Sequence, residues 1–472
     1  MTGDEYFPER ASLPTPSSTK SFWHSEPSKV LLGHRTTPSL PLKADIVIIG
    51  SGISGASAAL HLREELNNKD VNVVMLEARE ACWGATGRNG GHCQPLIYDS
   101  TPEVGAFELR NYEAIRSLIA THNIPCEWKS IPGCHAFMSS SMFETAVKGV
   151  ETLKKTDPEL GKLVSVITKE STNPSLEDLR VPRAAGAILQ VHAASLWPYK
   201  FVSWILESLI ASSFLNLQTN TPVTNLQKMD KGWIIHTPRG MLSAPTVLLT
   251  TNAYTSHLLP AFSDLIVPVR GEMSALLPPK SVTPLSSTMH KPLECSYGFL
   301  GHGKQSTDQD DYLIQRPFTH DGKSGGQLMF GGARSYAENA GIGVSDDSAI
   351  DPPAAAYLRR EINVLLELEN EGKELQASWE WSGIMGYSRD GHPWVGQVSP
   401  ELGVGGGEGL WLSGGFTGHG MPNAWLCGKA VAQLILGREM ADVDVPEGYK
   451  LSKERIERVR THKAVWLAES EA

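Results

Sequence analysis

A strand that runs into a glycine turn constrains this chain more than any other feature. Ala44-Asp45-Ile46-Val47-Ile48-Ile49 leads into Gly50-Ser51-Gly52-Ile53-Ser54-Gly55, and the helix-forming Ala56-Ser57-Ala58-Ala59-Leu60-His61-Leu62-Arg63 follows. Strand, G-x-G-x-x-G and helix in that order predict a βαβ dinucleotide turn. Gly50 allows the tight turn, Gly52 lets the backbone approach a pyrophosphate, and Gly55 lets helix and strand pack closely, while the helix start offers unpaired N–H groups to phosphate. A second apolar run, Val71 to Leu76, ends at Glu77, 22 residues past Gly55. A carboxylate there can accept hydrogen bonds from both adenosine ribose hydroxyls and would repel a 2′-phosphate. The turn by itself does not separate FAD from NAD.

A length of 472 residues exceeds what one core supports, so two to three lobes are expected. A net charge of −10, with no lysine- or arginine-rich run, argues against nucleic-acid or anionic-membrane partners. Cys82, Cys93, Cys126, Cys134, Cys295 and Cys427 are scattered without a C-x-x-C pair, as expected for reduced thiols and not for zinc ligands. The polar, proline-rich N-terminus lacks the apolar core of a secretory signal, and no apolar run approaches the roughly 18 residues of a membrane span. The C-terminal Glu469-Ser470-Glu471-Ala472 is not a peroxisomal signal, so the expected location is cytoplasmic.

Along the chain, residues 1–43 read as an extended arm that packs through Phe22 and Trp23. The βαβ unit covers about 44–80, followed by a second glycine-rich stretch, Gly84-Ala85-Thr86-Gly87-Arg88-Asn89-Gly90-Gly91-His92. A helical pattern runs from Thr101 to Ser117, with Val104, Phe107, Leu109, Ile115 and Leu118 on its apolar face. The polar stretch 145–185 reads as a surface segment. Strands are expected at Leu215–Thr219, Trp233–Thr237 and Thr246–Thr250, with a turn at Pro238-Arg239-Gly240, and a helix over 352–372. Leu410–Ser413 is a strand entering a third glycine-rich turn, Gly414-Gly415-Phe416-Thr417-Gly418-His419-Gly420. A helix from about Pro422 to Leu436, closed by Gly437, follows it.

Three glycine-rich turns, two early and one near the end of the chain, suit a cofactor larger than NAD. With these pieces the chain resembles the FAD-dependent amine and D-amino-acid oxidase superfamily. The resemblance spans nearly the whole chain and is carried by GSGISG with Glu77, GATGRNGGH at 84–92, TTNAYTSHLLP at 250–260, PVRGE at 268–272, WSGIMGYSRDGHPWVG at 381–396 and SGGFTGHG at 413–420. The GATGRNGG and TNAYT pieces look most like the gamma-glutamylputrescine-oxidoreductase-like branch and its fungal relatives. The resemblance implies an α/β fold: a Rossmann-like FAD-binding domain of glutathione-reductase type with an inserted β-sheet substrate domain of α+β character. The FAD domain would be discontinuous, 44–97, 190–262 and 378–440, with the substrate domain at 98–189 and 263–377 and a tail at 441–472.

The same resemblance implies the site. Gly50, Gly52, Ile53, Ser54 and Gly55 would hold the diphosphate, and Glu77, Ala78 and Arg79 the ribose side. Thr86, Gly87, Arg88, Asn89, Gly90 and Gly91 would run from the diphosphate to the ring edge, with Val223 against adenine through its backbone and Thr251 and Asn252 beside them. Gly415, Phe416, Thr417, Gly418, His419 and Gly420 would lie at the flavin ring, where a helix start favours the negative charge of the reduced ring. His419, His92 and Tyr254 are the candidate catalytic side chains; a histidine satisfied by a loop carbonyl and a core tyrosine are the alternative readings. Trp197, Trp381, Trp394 and Trp411 read as core aromatics, and Asp390-Gly391-His392-Pro393 as a turn. Covalent members of the superfamily attach FAD through a cysteine near Gly383 or a histidine near Arg88. Neither nucleophile is present, so FAD is expected to be non-covalent.

The implied reaction is oxidation of a C–N bond of a small-molecule amine or amino compound, with hydride passing to flavin N5 and the imine hydrolysing, and with O2 or another acceptor taking the electrons. An oxidase of N-methyl or secondary amino acids, of the sarcosine or pipecolate type, remains open. So do a flavin monooxygenase, which should carry a late Gly-Asp motif absent from SGGFTGHG, a nicotinamide dehydrogenase, and a non-catalytic flavin-binding protein. Gly383-Ile384-Met385 has a methionine where amino-acid oxidases of the superfamily often place a carboxylate-binding arginine. Simple α-amino acids are therefore expected to be poor substrates unless Arg270, Arg316 or Arg334 reaches the pocket.

Overall fold

Six strands build the sheet from which the first glycine turn springs, in the order Trp394–Gln397, Leu410–Gly414, Thr246–Leu249, Ile46–Ile49, Val73–Leu76 and Leu215–Gln218. The last five are parallel, and Trp394–Gln397 closes one edge antiparallel. The computed structural model describes residues 9–67, 70–284, 291–302, 310–320, 322, 324–368 and 373–468. Ile46–Ile49 and Val73–Leu76 are buried throughout, as continuous apolar runs in a parallel sheet should be. On one face lie the helices Ile53–Leu66, Pro198–Ala211 and Ala424–Ile435. The other face packs on a three-stranded meander, Asn225–Lys228, Trp233–Thr237 and Gly240–Ala244, through Trp233, Ile235 and Leu242. Ala56, Ala58 and Ala59 keep the first helix thin against its neighbours, and Asn67, at φ 43°, ends it with an N–H donated to the Arg63 carbonyl.

A second, nine-stranded sheet runs Ala377–Ser388, Ile266–Leu276, Leu328–Gly332, Asp310–Gln315, Ser296–Leu300, Lys129–Phe137, Gly186–Ser195 and His92–Cys93, with Val164–Ile167 also paired to Gly186–Ser195. Helices Ser140–Thr156 and Pro352–Leu365 cover it. His92–Cys93, Gly186–Ser195 and Ala377–Ser388, at the ends of the segments 44–97, 190–262 and 378–440, are strands of this sheet. A strand-forming run does not state its partner; register does, and His92 faces Ser195 while Met273 faces Trp381.

Other expectations shift locally. The stretch 145–185 is not merely surface, since Ala146, Val150 and Leu153 bury one face of Ser140–Thr156. The helix expected from Thr101 to Ser117 runs to His122. Its buried face holds the expected Val104, Phe107 and Ile115 together with Glu108, Asn111 and Tyr112, while Leu109 and Leu118 are only partly covered. The helix expected over 352–372 stops at Leu365, and 369–372 lie outside the described residues. Among the described residues no helix is long and apolar enough to cross a membrane.

The N-terminal arm is anchored by Phe22 and Trp23, both buried against Trp197. Trp381 and Trp394 are fully buried and Trp411 partly so, as core aromatics. Asp390 and His392 form a turn held by Arg455, whose guanidinium bonds Asp390 Oδ1 at 2.8 Å and stacks 3.6 Å above Trp394.

Candidate active site

The first turn explains its own glycines. Gly50 sits at φ +110°, where a side chain is strained, and a Cβ on Gly55 would lie 2.2 Å from the Gly50 carbonyl oxygen. Thr86 Oγ1 accepts the Ile53 N–H at 3.0 Å and would meet a Cβ on Gly52 at 3.1 Å. The other first-turn amides have no intrahelical partner by construction and form a site for an anion. Glu77 is nearly buried. Its Oε2 accepts Ser51 N at 3.0 Å and Ser51 Oγ at 2.6 Å, and its Oε1 accepts Arg79 N at 2.9 Å. Thr250, not anticipated from sequence, donates its hydroxyl to the Ile49 and Gly50 carbonyls, both at 3.0 Å.

In the second glycine stretch the arginine side chain is held by the arm and by a neighbouring strand. The Arg88 guanidinium donates to the Ser382 carbonyl at 2.7 Å and to Thr19 O and Oγ1, each at 2.6 Å, and lies 3.2 Å from Asp347. Asp347, fully buried, also accepts both bonds from Arg79 Nη1. Burial, against the attraction of Asp347, brings the Arg88 guanidinium down to about 10. Gly87 and Gly91 are glycines for the arm: a Cβ on Gly87 would lie 2.4 Å from His24 and one on Gly91 2.5 Å from Trp23. Asn89 Oδ1 accepts Gly91 N, and its carbonyl accepts Trp23 Nε1 at 2.6 Å.

The three catalytic candidates do not form one cluster. His92 stacks on Tyr312, with ring centres 5.0 Å apart, and its Nδ1 is 3.2 Å from Ser296 Oγ. Burial, with the charges of His419 and His135 nearby, pushes His92 down to about 3, so its ring is neutral near pH 7. Beyond it, His135 bonds Gln94 Nε2 and Tyr98 Oη, each at 2.8 Å, and burial takes it to about 4. His419 donates Nε2–H to Glu108 Oε2 at 3.0 Å, and Glu108, 3% exposed, also accepts Leu96 N and Asn423 Nδ2. Tyr254 belongs elsewhere. Its hydroxyl donates to Ser345 O at 3.3 Å, and burial raises it beside the Arg79, Asp347 and Arg88 charges.

The third turn differs from its reading in one respect. Gly418-His419-Gly420 does not start the helix, which begins at Ala424 with Asn423 before it. Gly420 supplies the carbonyl that accepts the first helical N–H, from Ala424, at 2.7 Å. Asn252, at φ 46°, is a strut whose Oδ1 accepts Gly415 N at 2.9 Å. Thr417 is tied to the Ala377–Ser388 strand by its N–H to Gly386 O and by Ser388 N to its Oγ1.

One cavity joins these pieces. Gly50, Gly52, Ile53, Ser54, Glu77, Ala78 and Arg79 line it with Thr86, Arg88, Asn89, Gly90 and His92. Val223, Thr251, Asn252, Tyr254, Phe416, Gly418, His419 and Gly420 complete the anticipated lining. Gly55, Gly87, Gly91, Gly415 and Thr417 do not line it. Each is turned to internal packing, as the near contacts of a Cβ on the four glycines and the two strand bonds of Thr417 state. Sequence reading missed Leu13, Pro14, Gln94, Met273, Tyr312 and Met421, which carry no local motif. Gly383 and Arg88, the two positions matched to covalent attachment, meet at the wall, a Cβ on Gly383 falling 3.2 Å from Arg88 Cβ.

A cavity opening on a glycine turn, an anion-receptive helix start and a buried carboxylate at the end of the next strand defines a dinucleotide-dependent enzyme. The residues present fit FAD, with the turn and Glu77 at the nucleotide end and the third glycine turn closing the other. Residues 45–434 match the family model described as FAD dependent oxidoreductase (DAO), and the chain belongs to that family. It is similar to a probable oxidoreductase OrdL of Rhizobium meliloti (24% identical, 84% of each chain) and to gamma-glutamylputrescine oxidoreductase of Escherichia coli (20%, 84% of each). Among solved structures it shares its fold with glycine oxidase from Geobacillus kaustophilus (TM-score 0.63, 19% identity, 84% of this chain and 96% of that one). L-proline dehydrogenase from P. horikoshii is a second such structure (TM-score 0.65, 19% identity, 89% and 99%). The protein is an FAD-dependent oxidoreductase.

Proposed function

We propose that the protein oxidises a C–N bond of an amine or larger amino compound and discriminates against simple α-amino acids. The supporting observation is the charge of the cavity wall. Its two described arginines, Arg79 and Arg88, both pair with the buried Asp347. Arg270, Arg316 and Arg334 do not line the cavity: Arg270 faces Glu272 and Asp351, Arg316 bonds Glu127, and Arg334 bonds the Tyr387 hydroxyl. The wall from the nine-stranded sheet is Gly271, Met273, Tyr312, Gly383, Ile384 and Met385, with the neutral His92. An α-carboxylate buried there without a charged partner would cost several kcal/mol.

FAD, when bound, supplies the two-electron acceptor for the hydrogen on the carbon next to nitrogen. The chain's residues orient and desolvate the substrate: Met273, Ile384, Met385 and Met421 exclude water, and the neutral His92 ring does not repel an amine. The imine product hydrolyses in water. The assignment of the lining residues to FAD, the discontinuous dinucleotide unit at 44–97, 190–262 and 378–440, non-covalent attachment, O2 or another small acceptor, and a cytosolic setting for six unpaired buried cysteines belong to the same reading. The similarity to gamma-glutamylputrescine oxidoreductase favours an amine with a polar tail. The test is anaerobic bleaching of the bound flavin by a panel of amines. Amines and N-substituted amines should bleach it faster than alanine, glycine or sarcosine at matched concentration, and efficient reduction by any of those three overturns the reading.

A further inference from the structure

The N-terminal arm lies wholly before residue 45, where the family match begins, yet it reaches the cofactor cavity. Ala11 N donates to Ser256 Oγ at 3.0 Å, the Ala11 carbonyl meets His257 Nδ1 at 3.2 Å, and Ser12 Oγ lies 2.8 Å from Ser345 Oγ. These contacts stretch Leu13 and Pro14 between two segments of the body, and both residues line the cavity alongside Arg79, Tyr254 and His257. Five residues on, Thr19 N donates to the Asp347 carbonyl at 2.8 Å. Thr19 Oγ1 accepts Arg88 Nη2 and Ser382 N. Phe22 and Trp23 then anchor in the core, with Trp23 Nε1 bonded to the Asn89 carbonyl.

We propose that residues 11–19 form part of the FAD-binding site, a strap whose Leu13 and Pro14 wall the cavity and whose Thr19 locks the Arg79–Asp347–Arg88 group along it. Arm and cofactor share a surface, so each stabilises the other's bound state, and the coupling is reciprocal. The arm's own core anchor, Phe22 and Trp23, lies beyond the strap, so the strap can lift while the rest of the arm stays docked. The exposed Lys20 sits between strap and anchor and reports its position.

The proposal rests on the cavity being the FAD site and is independent of which amine is oxidised. Two variants of the full holoenzyme test it: deletion of residues 1–16, which spares Thr19, Phe22 and Trp23, and the double substitution Leu13→Gly/Pro14→Gly, which keeps the anchors and removes only the cavity-facing side chains. Flavin release is followed by the rise of free-flavin fluorescence on dilution, and tryptic cleavage after Lys20 is compared in apo- and holoprotein. Release at least tenfold faster in the double variant, and faster cleavage without FAD than with it, are expected. An unchanged release rate in the double variant, which decides the matter if the deletion does not fold, overturns the proposal, as does equal cleavage with and without FAD. Because neither readout uses substrate, a flavin that no amine bleaches would end the amine reading and leave the strap standing.

Discussion

Glu77 carries two duties on one carboxylate. It closes the first turn by accepting both Ser51 groups and Arg79 N, and it faces the cavity at the ribose end. Glu77→Ala should therefore weaken FAD binding and also soften the apoprotein. Loss of two charged hydrogen bonds corresponds to about 2–5 kcal/mol, or roughly thirtyfold to four-thousandfold in dissociation constant. Titration of apoprotein with FAD measures the first effect and thermal melting of the apoprotein the second; unchanged FAD affinity would remove Glu77 from the site. What sequence could not reveal at this scale are the partners of the arginines. Asp347 meets Arg79 across 268 positions and Glu108 meets His419 across 311, with nothing local to mark either acid. The turn around Glu77, by contrast, was readable because strand, glycines, helix and acid all fall between Ala44 and Glu77.

The glycines of the three turns divide by what lies beyond them. Gly55 abuts the Gly50 carbonyl at a hypothetical 2.2 Å, whereas a Cβ on Gly420 would make only an ordinary 3.6 Å contact with Phe416 and otherwise enter the cavity. Gly55→Val should consequently fail to form the turn, giving low soluble yield and no bound flavin. Gly420→Val should fold with a near-parental melting temperature but reduce its flavin more slowly. Stopped-flow reduction by the best amine, beside thermal melts of both variants, checks the pair; parental reduction by Gly420→Val would place that turn away from the ring. The same division accounts for the elements that were misread. Periodicity located the Pro102–His122 helix and the buried Val104, Phe107 and Ile115, but not the polar Glu108 and Asn111 on the same face, whose partners Asn423, His419, Met421 and Leu426 lie on or beside the Ala424–Ile435 helix.

For the molecule as a whole, buried titratable groups set a stability window with two sides. His24, His61, His92 and His135 are held by burial at about 3, 4, 3 and 4, below the ordinary 6.5. The unfolded chain thus binds more protons than the native one between those values and 6.5, and stability is lost as pH falls through that range. Glu272 has the opposite sign. Burial raises its carboxyl to about 8, so between about 4.5 and 8 the native state holds a proton that the unfolded chain has released, and stability falls as pH rises. Melting temperature against pH should show both flanks, and Glu272→Gln should gain on the parent as pH climbs from about 5 to 8. A constant difference across that range would refute the assignment.

The parallel sheet takes its strands from both ends of the chain, and Gly428 seats the Ala424–Ile435 helix directly on Ser54 and Ser57 of Ile53–Leu66. On the ribosome the earlier helix must wait some 370 residues for that partner, about 20–75 s at typical elongation rates. Until then the helix face that meets this partner stands uncovered, and the strand Thr246–Leu249, once made, waits a further 161 residues for its neighbour Leu410–Gly414. The enzyme's hazard in the cell accordingly falls during synthesis, and a stalled or truncated message yields a chain whose nucleotide turn is written but cannot yet be closed.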